Sequence, residues 1–173
     1  MSDDLGAVLR AWPDRPQLII DESDGAPEDL RTALGIGYAG TSHKNCKGIF
    51  KGVAHRCLLR AVELEQPARR VLMSGEDLCN VGPVALLQDL AAMAALGIES
   101  VERNGHHYHA GLSQFPAVVR EQVLEHHPDL YVRSSNGWPT LRIQEGGLDL
   151  SSLNKAPFGV GFELAVESFQ KIQ

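Results

Sequence analysis

Apolar positions along this chain follow two alternating patterns. Short continuous runs come first: Leu18, Ile19 and Ile20, then Val71, Leu72 and Met73; Tyr38 to Ser42 and Ile98 to Glu102 also read as strands. A continuous apolar run bounded by polar residues marks a strand buried on both faces. Between the runs lie stretches with helical spacing. Leu5, Val8 and Leu9 share one face of a short helix over 3–11, before the breakers Pro13 and Pro16. Pro27 opens PEDLRTALG, with acids in its first turn and Gly35 as its stop. After Gly48, the spacing of Ile49, Val53, Cys57, Ala61 and Val62 predicts one buried helical face, ended by Gln66-Pro67. Gly82-Pro83 starts a helix with Leu86, Leu87, Leu90, Ala91 and Ala94 inside, and another begins near Pro116 with Val118, Val119, Val123 and Leu124. Strands are thus expected near 18–21, 38–42, 71–75 and 98–103, each followed by a helix.

That alternation implies an α/β fold with a parallel sheet, whose ligands bind at the carboxyl ends of the strands. Those ends carry the polar chemistry: DESD, SHKNCK, SGEDLCN and ERNGHHYH. The tail reads differently. LYVRSSNGWPTLRIQEGGLDL has two alternating runs about a Ser-Asn-Gly-Trp turn, a hairpin pattern, and NKAPFGVGFE closes the chain. The expected division is 1–128 for the strand–helix units and 129–173 for the hairpin and closing segment.

Composition narrows the classes. The chain has 173 residues, 43% apolar and 22% charged, enough for one sizeable core. Its net charge of -6 makes nonspecific nucleic-acid binding no default expectation. No apolar run approaches the ~18 residues of a membrane span, and MSDDLGAVLRAW lacks a signal-peptide apolar block. Cys46, Cys57 and Cys79 have no regular spacing and suggest free thiols in a reducing cytoplasm.

The densest chemistry is YAGTSHKNCKGIFKG, where Lys44, Lys47 and Lys51 gather at a strand end. Crowded like charges lower an ammonium's pKa, so Lys44 is expected to be depressed and able to act as a general base. Lys51 is expected to be exposed. Asp21 and Glu22 alternate across their strand, so one of them, taken to be Asp21, faces the site. Glu76 and Asp77 either face substrate or pair with Lys44. Asn104, His106 and His107 follow the fourth strand. A zinc site from His43, Cys46, Cys79 and His106 is a weaker alternative, since no ligand spacing supports it. His126 and His127 end a helix, where a cation suits the dipole.

Taken in order, IIDES, SHKNCKG and APFGVGFE resemble the carboxyl-terminal half of an enolase-superfamily enzyme, of the mandelate racemase, muconate-lactonizing and dipeptide-epimerase kind. Ile49 stands where that family has a second glycine. The resemblance implies half of a (β/α)8 TIM barrel, which runs to about 250 residues when complete. It implies that Asp21 is a Mg2+ ligand, Lys44 the acid/base and Lys47 its support, with Glu76, Asn104 and His106 toward a small carboxylate substrate. The family's remaining carboxylates, another lysine and its capping domain have no counterpart here. The chain is therefore expected to be catalytically incomplete alone, to need a homo-oligomer or an upstream half-barrel partner, and to pack its closing segment on a capping domain. Open sheet edges and an apolar inner sheet face would drive that association. A non-catalytic half-barrel for binding or assembly is the alternative.

Overall fold

The structure, a computed structural model, describes residues 3–76, 80–103 and 108–171. The chain divides into two compact units, Met1–Glu76 with Leu96–Glu102, and Asp77–Ala95 with Arg103–Gln173. The fourth strand belongs to the first unit and the helix before it to the second.

In the first unit, β1 (Ile19–Ile20), β2 (Gly40–His43), β3 (Leu72–Glu76) and β4 (Val101–Glu102) form one parallel sheet in the order β1-β2-β3-β4. The sheet is open, with β1 and β4 as its edges, and no closed barrel is present among the described residues. Three helices belong to this unit: α1 (Asp3–Ala11), α2 (Asp29–Ile36) and α3 (Ile49–Glu65). α2 starts two residues after Pro27, where the Asp29 carboxylate accepts the backbone N–H of Gly25 at 2.9 Å and of Ala26 at 2.6 Å. It runs through Gly35 and stops at Gly37, whose φ of 116° is a left-handed conformation that glycine adopts without steric cost.

Strand alternation sends neighbouring residues to opposite faces. Ile20, Thr41, His43 and Met73 are buried. His43 meets α3 so closely that a Cβ on Gly52 would lie 2.5 Å from its Cε1. Ile19, Asp21, Ser42, Ser74, Glu76, Ser100 and Glu102 line the opposite side, which is therefore mostly polar rather than apolar as expected.

The face of α3 also differs from expectation. Gly52, His55 and Leu59 are its buried residues, whereas Val53, Cys57 and Ala61 are exposed and Phe50 is 90% exposed. The spacing of four was real, but it marks the outward stripe. The inward side is held partly by polar contacts, which an apolar count does not register. Asp24, 3% exposed, accepts Thr41 Oγ1 at 2.8 Å, and its backbone carbonyl accepts Lys51 Nζ at 2.7 Å. His55 Nε2 lies 3.2 Å from the Pro27 carbonyl. Lys51 is thus half-buried and partnered, not the free surface cation expected.

The second unit holds α4 (Pro83–Ala95), α5 (Ala117–His126) and an antiparallel hairpin of β5 (Tyr131–Arg133) and β6 (Pro139–Leu141). The hairpin turn is closed by Gly137 N–H to the Ser134 carbonyl at 3.0 Å. Its core gathers Leu86, Leu87 and Leu90 of α4, Val123 of α5, and Tyr131, Leu141 and Leu153. The closing segment finds a partner within this unit: Gly159 lies against α4, where a Cβ would sit 2.5 Å from the Leu87 carbonyl oxygen.

His127 is fully buried and is not the cation expected at a helix end. Gly161 N–H donates to its Nε2 at 3.1 Å, so that nitrogen carries no proton and Nδ1–H donates to Ser152 Oγ at 2.9 Å. Burial pushes its pKa down, against the pull of Asp129. A lowered native pKa means that the unfolded chain binds the proton first. The stability from neutral His127 is complete above about pH 6.5, the unfolded value, and is lost as the pH falls toward the native one. Urea midpoints should therefore drop between about pH 7 and 5, and the drop should be shallower in His127→Asn, which does not titrate.

Candidate functional site

The carboxyl ends of β1, β2 and β3 bring together side chains far apart in sequence. Strand register sets this up. Ser42 pairs with Ser74 and His43 with Gly75, so Lys44 and Glu76 leave neighbouring strands at the same level, and Glu76 pairs with Glu102. One level below, Ser42 and Ser74 stand beside Asp21 from β1 and Ser100 before β4. Asp21, Ser42, Ser74, Glu76, Ser100 and Glu102 line an open cavity of about 640 Å³.

Lys44 is the centre of the charge arrangement. Its Nζ lies 2.8 Å from Glu76 Oε2, 3.1 Å from Asp21 Oδ1 and 3.4 Å from Glu22 Oε1. Glu22 is 85% exposed, so water screens its share. Lys47, from the 3-10 turn Asn45–Lys47, folds back to donate to the Asp21 carbonyl at 2.6 Å and to Asp21 Oδ1 at 2.9 Å. Asp21 Oδ1 thus sits between two ammoniums.

These contacts reverse one expectation. The hydrogen bond to Glu76 raises the Lys44 pKa, burial opposes it, and Asp21 adds a further rise, so Lys44 lies well above the ordinary lysine range. Each lysine of the crowded stretch has its own carboxylate, and opposite charge at 3 Å outweighs the neighbouring like charges. Lys44 is therefore a held proton donor at neutral pH, not a depressed base. Burial alone would push Asp21 up, but the hydrogen bonds from Lys47 and Lys44 prevail and hold its carboxyl below the usual range.

The expected metal ligand can be tested on donor chemistry. Magnesium needs several hard oxygen ligands. Here Asp21 Oδ1 and Glu76 Oε2 are already neutralised by ammoniums at 2.8 to 3.1 Å. Among the described residues no three Asp, Glu, His or Cys side chains group as a metal would require. The described donor set does not fit a magnesium ion by itself, because Lys44 and Lys47 supply the positive charge that a cation would bring. Of the zinc alternative only His43 and Cys46 are described. His43 is buried with Nε2 3.0 Å from Asn45 Oδ1, and Cys46 is exposed.

Asp21, Lys44, Lys47 and Glu76 are thus brought together, with Glu76 in the pairing role that was one of its two expected uses. Asp77, Cys79, Asn104, His106 and His107 lie outside the described residues. Sequence reading missed the serines that line the cavity. Their signal was present: Ser42-His-Lys44, Ser74-Gly-Glu76 and Ser100-Val-Glu102 repeat a hydroxyl and a charge two residues apart at three strand ends, the spacing that puts both on one face. No protein-family model, curated protein or solved structure matches the chain.

Proposed function

We propose that this strand-end cluster is an acid/base site for proton transfer next to a carboxylate, the chemistry of the enolase superfamily, on the carboxyl-terminal half of a (β/α)8 barrel. The observation that carries the reading is that Lys44 pairs with Asp21 and Glu76, from the ends of three adjacent parallel strands, and that both carboxylates line one cavity. The neighbouring order of the four parallel strands suits half of such a barrel. In this reading Lys44 gives a proton to the α-carbon of an enolate, and removes one only in its small neutral fraction. Lys47 and Asp21 hold that ammonium in place, the cavity serines orient the substrate, and Asn104 and His106 remain candidates to face it. A divalent cation would need carboxylates beyond Asp21, which a homo-oligomer or an upstream half-barrel partner would supply.

A second reading, a non-catalytic binding or assembly module, is favoured by the fact that Lys44 and Lys47 are both already paired. Hydrogen–deuterium exchange at the α-carbon separates the two. The intact chain, given Mg2+ and a panel of α-substituted carboxylates in D2O, should exchange the α-proton. The rate should rise about tenfold per pH unit while neutral Lys44 is scarce. Ligand binding without exchange at any pH, and without loss in Lys44→Met, supports the module instead.

A further inference from the structure

At the opposite end of the same sheet, the amino ends of β1, β2 and β3 border an open cleft of about 850 Å³. Its lining includes Arg15, Arg69 and Arg70 and contains no aspartate or glutamate, in a chain whose net charge is -6. Among the described residues none of the three guanidiniums has a carboxylate partner. Two of them are fixed by backbone carbonyls. Arg15 Nη1 donates to Leu9 O at 2.8 Å and Trp12 O at 3.2 Å, and its Nη2 to Gly37 O at 2.9 Å. Arg69 Nη2 donates to Leu34 O at 2.6 Å and Tyr38 O at 3.4 Å. Arg70 is exposed at the rim, and its carbonyl accepts Gln17 Nε2 at 3.3 Å.

The bland account is that Arg15 and Arg69 cap the carboxyl ends of α1 and α2. That account uses only part of the charge. Each helix terminus carries about -0.5 elementary charge, so the three guanidiniums leave a net charge of about +2 around the cleft. The carbonyls occupy Nη1 and Nη2 of Arg15 but only Nη2 of Arg69. Arg69 therefore keeps N–H groups for a ligand, and its position is fixed before any ligand arrives, which lowers the entropic cost of binding. A guanidinium fork matches the oxygens of a phosphate.

We propose that this cleft binds a dianionic phosphate group, as inorganic phosphate or as the phosphate of a small phosphomonoester, with Arg69 and Arg70 as the contacting residues and Arg15 setting the field. The site is separate from Lys44 and does not depend on the proton-transfer reading. The test is titration of the intact chain with inorganic phosphate, and separately with glycerol phosphate, at low salt, followed by calorimetry and by amide and Arg Nε–H chemical shifts. Saturable binding in the millimolar range is expected, with shifts centred on Arg15, Arg69 and Arg70. Arg70→Gln, an exposed change, should weaken it about tenfold, while Arg60→Gln on the surface of α3 should not. Tighter binding of glycerol phosphate would identify a phosphomonoester site, and equal binding a free-phosphate site. No saturable binding up to 20 mM (roughly the weakest useful affinity), shifts centred on Lys44 and Lys47 instead, or unchanged affinity in Arg70→Gln would overturn it.

Discussion

Replacing Lys44 by methionine is expected to destabilise the chain by about 3 kcal/mol, the low end for breaking a buried charge pair. The Lys44 side chain is 8% exposed, and its removal leaves Glu76, 18% exposed, without its ammonium. Asp21 keeps Lys47 and loses less. The cost comes from the carboxylate left behind more than from the bond removed, so a second change should reverse most of it. Lys44→Met with Glu76→Leu should recover stability toward the parent, and the double-mutant cycle should show strong coupling. The pH dependence follows from the two shifts. Lys44 has a raised native pKa, so its contribution is complete below the unfolded lysine value and is lost as pH rises through the native one. Asp21 has a lowered native pKa, so its contribution is complete above the unfolded aspartate value and is lost as pH falls through the native one. At neutral pH both are at full strength. Urea unfolding of the three variants at pH 7 measures the effect, and additive losses in the double variant would contradict the pairing.

The strands were legible because burial on two sheet faces requires runs such as Leu18, Ile19 and Ile20, and few other structures do. The runs placed β1 and β3 in the right segments, and the readings of 38–42 and 98–103 overlap β2 and β4. The hairpin was legible because its Ser-Asn-Gly-Trp turn and alternating flanks have a local cause. What depends on distant partners was not legible. The Lys44 proton affinity is set by Asp21 and Glu76, which lie on other strands, and neighbouring lysines alone gave the opposite sign. The inward face of α3 was misread because a stripe of period four looks the same whether it faces inward or outward. Only the contacts of Gly52 with His43 and of Lys51 with Asp24 settle the direction. The proton on His127 was misread because Gly161, whose N–H fixes the tautomer, lies in the closing segment.

That closing segment is the subject of the other large expected effect: Gly159→Ala should cost about 2–4 kcal/mol. Gly159 has φ of 81°, which an L-residue adopts only with strain of about 1–2 kcal/mol. The new methyl would also stand 2.5 Å from the Leu87 carbonyl oxygen and 3.0 Å from the Ala91 Cβ, on α4. One of those obstacles is backbone inside a helix, which no rotamer change can move aside. Relief therefore means lifting the segment from α4, and overpacking of this kind costs about 1–3 kcal/mol. Leu153, 1% exposed and part of the same core, would lose cover in the process. The measurable signature is a lower unfolding midpoint together with faster amide exchange across residues 153–161. Gly146→Ala is the informative comparison, since that position has φ of 79° but nothing within 4 Å of its Cβ. It should show the backbone part of the loss alone. Equal losses in the two variants would mean that the contact of Gly159 with α4 contributes nothing, and the closing segment would then need some other anchor.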